Sequence, residues 1–326
     1  MAYSEQVIRR ARERLAQAKQ EAEEESARRL EEIYARSPRL REIENGIRSA
    51  MAKVLAASFA SGRDPAAAIE AAKQENLELQ HQRDWILQSL DLDEADLTPQ
   101  PVCAVCGGSG YVGERMCECL RELCRQEQKR ELSSLLATRE TFEAFRLDYY
   151  PEEPDPTFGV SPRRLMEKVY RRCVRYAREF SPESPSLLLT GGPGLGKTFL
   201  SACIARSVAE AGYSVVYDTA GKLFSDFEAA KFAAGDGENQ NRTRKYLACD
   251  LLIVDDLGTE MTTQFTQSAL YQVVNTRLMD RLPTLISTNL DPTALQSRYL
   301  PQITSRLLGT YETLQFLGRD IRMMKK

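Results

Sequence analysis

The sequence predicts an α/β fold built on a parallel sheet, and three observations lead there. In the C-terminal half, the short apolar runs SLLLT (186–190), SVVYD (214–218), LLIVD (251–255) and TLIST (284–288) alternate with longer helical stretches, as strands joined by crossover helices do. The first run leads straight into GGPGLGKT (191–198), a glycine-rich loop that opens a helix. The third ends in adjacent acids, Asp255 and Asp256, which would repel each other at the end of a buried strand unless a cation lay beside them.

A chain of 326 residues, 42% of them hydrophobic, has material for about two domains and at least one full core. No apolar run approaches the roughly 18 residues a membrane-spanning helix needs, and the N-terminal MAYSEQVIRRARERLAQAKQ is polar and charged. The expectation is a cytoplasmic protein without a secretory signal and without membrane contact. Three regions are expected: a helical N-terminal region over 1–98, a zinc-binding module with its connecting helix over 99–138, and a nucleotide-binding domain over 139–326.

In the first region Val7, Ala11, Leu15, Ala18 and Ala22 recur at helical spacing, as do Ile43, Ile47, Met51, Val54 and Leu55. Ser37 and Pro38 divide this stretch into two helices. SGRDP (61–65) reads as a second stop, with Asp64 as a cap and Pro65 at the first position of a third helix that ends near Leu90. A small helical bundle or an extended coiled segment would fit. An acidic linker, DLDEADLTPQP (91–101), follows.

CAVCGGSGYVGERMCEC (103–119) holds Cys103, Cys106, Cys117 and Cys119 as C-x-x-C, ten intervening residues, then C-x-C. Four thiolates at that spacing can close a tetrahedral zinc site, with GGSG as the turn that brings the pairs together. So short a segment buries little apolar surface, so Zn2+ would supply most of its folding free energy. Cys124 is a spare thiol on the next helix, and Cys173, Cys203 and Cys249 lie among apolar neighbours as core residues. A helix to about Thr138 and a proline-rich loop, PEEPDPTFGVSP (151–162), lead into the final domain.

Gly191, Gly196, Lys197 and Thr198 fit G-x-x-x-x-G-K-[ST] between a strand and a helix, the context that makes this pattern a phosphate loop. Gly191, Gly192, Pro193, Gly194, Leu195 and Gly196 would wrap main-chain N–H groups around the phosphates of ATP, with Lys197, Thr198 and Phe199 opening the helix behind them. Lys197 would reach the terminal phosphates and Thr198 a magnesium ion. Asp255 would hold Mg2+ through water, and Asp256 would orient the attacking water. Asn289, at the end of TLISTN, is placed to contact the γ-phosphate or that water.

In order, GGPGLGKT, LLIVDDLG, TLISTN, ITSRLLG and LGRDIR resemble the AAA+ ATPases of the bacterial DnaC/DnaI helicase-loader type, with the IstB transposition helper as close kin. The resemblance covers roughly 140–326. It implies a five-stranded parallel sheet with helices on both faces, and assembly with copies of itself or a related AAA+ partner. It makes Arg306 an arginine finger reaching a neighbouring subunit's γ-phosphate, and Arg322 a sensor of the bound nucleotide, with Arg319 as an alternative. Where most AAA+ proteins carry Glu, Asp256 stands, and its shorter arm implies slow, switch-like hydrolysis. The implied partners are a hexameric replicative DNA helicase and single-stranded DNA; the alternative is an ATP-dependent transposition helper that binds target DNA.

SPRRLMEKVYRRCVRYAREF (161–180) puts Arg164, Lys168, Arg171, Arg175 and Arg178 at spacings that line one helical face, a solvated surface or a phosphate-backbone contact. In NRTRKYL (241–247), Tyr246 could stack on a base. His81 is the only histidine, so there is no set of histidines to hold a metal.

Overall fold

In the computed structural model the described residues are 3–59, 66–135, 140–232 and 237–323. Two compact units emerge: Glu13–Cys119, and Met1–Arg12 together with Leu120–Lys326.

The first three helices are α1 (Glu5–Arg36), α2 (Pro38–Phe59) and α3 (Ala66–Ser89), with α1 ending at the break expected at Ser37 and Pro38. α2 packs along α3, and Ile33, Tyr34, Leu40 and Leu87 form a buried cluster. The helices therefore bundle. Val7, Ala11, Leu15 and Ile43 are buried while Ala18 is exposed, so the periodic stripe of α1 is shorter than its sequence spacing suggests. The stop at 61–65, with Asp64 and Pro65, and the side chains of Met51, Val54 and Leu55 lie outside the described residues. A single turn, α4 (Glu94–Leu97), is closed by a capping box between Asp93 and Asp96. Then comes a short hairpin of β1 (Tyr111–Val112) and β2 (Arg115–Met116). α5 (Glu118–Leu135) follows.

The second unit is an α/β layer structure. After α6 (Pro162–Arg178) the chain runs β3 (Leu187–Thr190), α7 (Lys197–Glu210), β4 (Val215–Thr219), α8 (Ala220–Phe232), α9 (Gly237–Ala248) and β5 (Leu251–Leu257). It continues through α10 (Gln264–Met279), β6 (Thr284–Thr288), α11 (Pro292–Arg298), α12 (Pro301–Thr310) and β7 (Glu312–Gln315). The five strands pair in parallel in the order β4-β5-β6-β3-β7. The sheet thus has the five parallel strands expected, and β7 is a strand that the four apolar runs did not reveal.

Alternate residues on the strands feed opposite faces, as the pleat requires. Leu187, Leu189, Val215, Leu251, Ile253 and Leu285 bury against Met166, Val169 and Cys173 of α6 and Leu200, Ile204 and Val208 of α7. Leu188, Val216, Leu252, Val254 and Ile286 bury against Leu223 and Phe227 of α8, Leu270 and Val274 of α10, and Ile303 and Leu307 of α12. Each such side chain contributes about 1.5–3 kcal/mol through apolar burial. Cys173, Cys203 and Cys249 are core residues, as their neighbours implied. Arg277 of α10 is fully buried, and its guanidinium donates to Thr284 Oγ1 and to the carbonyls of Tyr246, Cys249 and Pro283 at 2.7–3.0 Å. It thereby pins α10 to the starts of β5 and β6.

Because β6 lies between β3 and β5, the segments that leave the C-terminal ends of all three come together. In open α/β sheets that end is where ligands sit.

Candidate functional site

A cavity of about 310 Å³ opens at this end of the sheet. Its wall includes Pro193, Gly194, Leu195, Gly196, Lys197, Thr198, Phe199, Asp256, Asn289 and Arg322. Motifs separated by up to about 130 residues of sequence thus meet in one place. The loop before α7 bends through Gly191 (φ 139), Gly194 (φ 68) and Gly196 (φ 90), conformations that side chains disfavour. At Gly191 a Cβ would lie 2.4 Å from the Phe316 carbonyl of the loop after β7. Gly196 caps α7 with no side-chain hydrogen bond, so the first-turn N–H groups face the cavity with their partial positive charge. A phosphate chain fits this set of donors.

Lys197 is 5% exposed, and its ammonium donates to the carbonyls of Gly191 (2.6 Å) and Gly192 (2.7 Å) and to Asn289 Oδ1 (2.7 Å). Burial pulls its pKa down to about 8, the nearby Arg322 charge adds to this, and Asp256 and Asp255 oppose it. Asp256 shifts the other way. Burial and the Asp255 charge raise its pKa, against Lys197 and Arg322.

Of the two acids, Asp256 lines the cavity and Asp255 does not. Asp255 is 3% exposed, and its oxygens accept hydrogen bonds from the Tyr217 hydroxyl (2.9 Å) and the Ser287 hydroxyl. Thr198 is half-buried on the cavity wall. Arg322 stands at the wall, whereas Arg319 is exposed and outside it. Arg306 is remote from this cavity: on α12, its Nε donates to Asn275 Oδ1 (3.1 Å), Nη1 donates to the Gln302 carbonyl (2.9 Å), and the guanidinium lies 5.1 Å from the Tyr271 ring centroid.

The far wall was not foreseen. Glu140, Ala144, Phe145, Arg146, Tyr149 and Tyr150 line it, from the segment preceding the proline-rich loop. Phe145 stacks on Tyr150 and Tyr170 at 5.9 and 5.2 Å between centroids, and the Tyr150 hydroxyl donates to the Leu195 carbonyl at 2.8 Å. The aromatic density of TFEAFRLDYYP (141–151) was the available signal.

In the other unit the Sγ atoms of Cys103, Cys106, Cys117 and Cys119 all lie within 4.8 Å of one another. Cys103 and Cys117 approach to 3.8 Å and Cys106 and Cys119 to 3.4 Å. A tetrahedron with Zn–S bonds of about 2.3 Å has edges of about 3.8 Å, so the cluster is compatible with zinc. Gly107 (φ 61), Gly108 (φ 88) and Gly110 (φ 78) make the turn beneath it. Burial works against the Cys106 thiolate, yet N–H groups of Gly110 and Gly108 and the neighbouring thiols bring its pKa down to about 6. Burial and the same thiol neighbours push Cys119 up.

The basic face of α6 is present, with Arg164, Lys168, Arg171, Arg175 and Arg178 all exposed. Base stacking by Tyr246 is ruled out, because that ring is fully buried and its hydroxyl donates to Asp218 (2.8 Å) and Asp226 (2.7 Å). Among the described residues no helix is long and apolar enough to cross a membrane.

A family model described as IstB-like ATP binding protein matches residues 171–300. The replicative helicase loader DnaC of Buchnera aphidicola subsp. Acyrthosiphon pisum is 26% identical over 160 residues, covering 49% of this chain and 65% of that protein. DnaC of Escherichia coli K12 is 28% identical over 118 residues, covering 36% and 48%. The chain thus spans about half to two thirds of the length of these relatives. A crystal structure of the DnaC helicase loader aligns with 56% of this chain and 100% of its own, at a TM-score of 0.46 and 18% identity. Residues 171–300 thus match an IstB-like ATP-binding family model, within a chain similar over about half its length to replicative helicase loaders named DnaC.

Proposed function

We propose that this chain is an ATP-dependent loader that places the replicative DNA helicase on single-stranded DNA, acting as a switch with slow hydrolysis. The observation that supports it best is the meeting of the 191–198 loop, Asp256, Asn289 and Arg322 around one cavity, all but Arg322 inside the residues that match an ATP-binding family, in a chain that resembles loaders.

In this reading the N–H groups of Gly191, Gly192, Pro193's neighbours Gly194 and Leu195, and Gly196 cradle the phosphates while Lys197 neutralises the terminal ones. The aromatic wall of Phe145, Tyr149 and Tyr150 suits the base. Thr198 and Asp255 would hold Mg2+, which when bound supplies positive charge to the phosphate oxygens. Asp256 orients the attacking water and Asn289 the γ-phosphate. Lys197 already bonds Asn289, so the arrival of phosphates must exchange that contact and signal occupancy along β6. Arg306 acts on the site of an adjacent protomer, which makes hydrolysis conditional on assembly. Zn2+ on Cys103, Cys106, Cys117 and Cys119 stabilises the module over 99–138, and the helices of 1–98 bind the helicase. ATP favours the assembled state, and hydrolysis ends it.

The test is capture of purified hexameric helicase by this chain, with and without ATP. ATP-dependent capture is expected. The description of the matching family favours a second reading, a transposition helper; in that case the helicase is ignored and duplex DNA is coated in an ATP-dependent filament.

A further inference from the structure

The geometry points to Ser287 and Tyr217 as positioning residues for the acid pair, an inference that rests on the nucleotide-site reading above. Ser287 falls within TLISTN and Tyr217 within SVVYD, but the pattern gives neither a role, and neither lines the cavity, so both act through Asp255 and Asp256.

Each oxygen of the Asp255 carboxylate carries a hydroxyl donor. Tyr217 donates to Oδ2 from β4 at 2.9 Å, and Ser287 donates to Oδ1 from β6. Since β5 lies between those two strands, the carboxylate is gripped from both flanks. The Ser287 Oγ also accepts the Asp256 N–H at 3.0 Å. The ladder pairs Val254 with Ile286 and next Leu257 with Thr288, so two residues of β5 stand opposite Ser287 alone. This is a β-bulge, a device that re-aims side chains beside functional sites. Asp256 absorbs it at φ 56, a strained left-handed conformation for a residue with a Cβ. The Ser287 hydroxyl satisfies the N–H that the bulge takes out of the ladder.

Residue 287 must accept from an N–H and donate to a carboxylate at the same time. A hydroxyl does both and alanine neither. Ser287 is fully buried and precedes Asn289 by two positions, so the strand that holds Lys197 through Asn289 also sets the acids.

The experiment uses the full chain with Ser287→Ala, Ser287→Thr and Tyr217→Phe, and measures affinity for a fluorescent ATP analogue in EDTA and in magnesium, ATP turnover and thermal melting. In Ser287→Ala, affinity in EDTA stays within about twofold, most of the gain from magnesium is lost, and turnover falls about 10–100-fold, as loss of an outer-shell partner does. Ser287→Thr keeps the hydroxyl and retains more of both than the alanine variant. Tyr217→Phe loses part of the magnesium gain while keeping the ring and the fold, and it carries the test if Ser287→Ala does not fold. Wild-type magnesium dependence and turnover in the folded variants would overturn the inference, as would an equal loss of affinity with and without magnesium. A wild-type chain that binds no ATP analogue would overturn the nucleotide reading, and this inference with it.

Discussion

At Lys197 the chemistry of the site reduces to one amine. Its three N–H groups all find acceptors, yet burial outweighs the two acids and brings the pKa down to about 8. The sign follows from this lowering: the charged form persists below about pH 8 and is lost above it, and only the charged form attracts phosphates. ATP affinity should therefore be flat near neutrality and fall by up to about tenfold per pH unit above that point. Equilibrium binding across the range checks it, and Lys197→Arg, which stays charged, should remove the slope even if it weakens binding. Lys197, Asp256 and Asn289 were legible in the sequence because their motifs carry fixed chemistry at fixed spacing. Ser287 and Tyr217 were not, because a serine and a tyrosine in apolar strands carry no such pattern until β4, β5 and β6 are laid side by side.

Among the elements, those with a strong local signature were read from sequence and those defined by their neighbours were not. β3, β5 and β6 are buried runs that announce themselves, and β4 opens on two buried valines. β7 is an edge strand, ETLQ, with a single buried residue and one partner strand, and only the sheet identifies it. The aromatic wall from Phe142 to Tyr150 contains two short 3-10 turns and no long periodic stretch, so its packing against the phosphate loop was invisible. Helix α6 shows the opposite case, its basic face and buried face both written in its period. The hairpin of β1 and β2 carries four residues in strands, none of them buried. Elemental analysis of protein purified without chelators should find about one zinc per chain, and Cys103→Ser should lose it and melt at lower temperature. A metal-free protein with unchanged melting would count against the thiolate cage.

For the whole molecule, the proposed chemistry asks for a second protomer. The cavity gathers the 191–198 loop, Asp256 and Arg322, while Arg306 lies on α12 held by Asn275 and Tyr271. If it completes the site of a neighbour, Arg306→Ala should bind ATP as the wild type does and lose the concentration-dependent part of its hydrolysis, on the order of 10³-fold where assembly is saturated. Turnover measured against protein concentration reads this directly, and an unchanged curve would remove the trans finger from the account. Beneath every one of these expectations lies the occupancy of a single cavity. Calorimetric titration of ATP with magnesium into the wild-type chain and into Lys197→Ala tests it most directly. One ATP per wild-type chain and no binding to a folded Lys197→Ala are expected, whereas equal binding by both, or none by the wild type, would remove the nucleotide from this cavity.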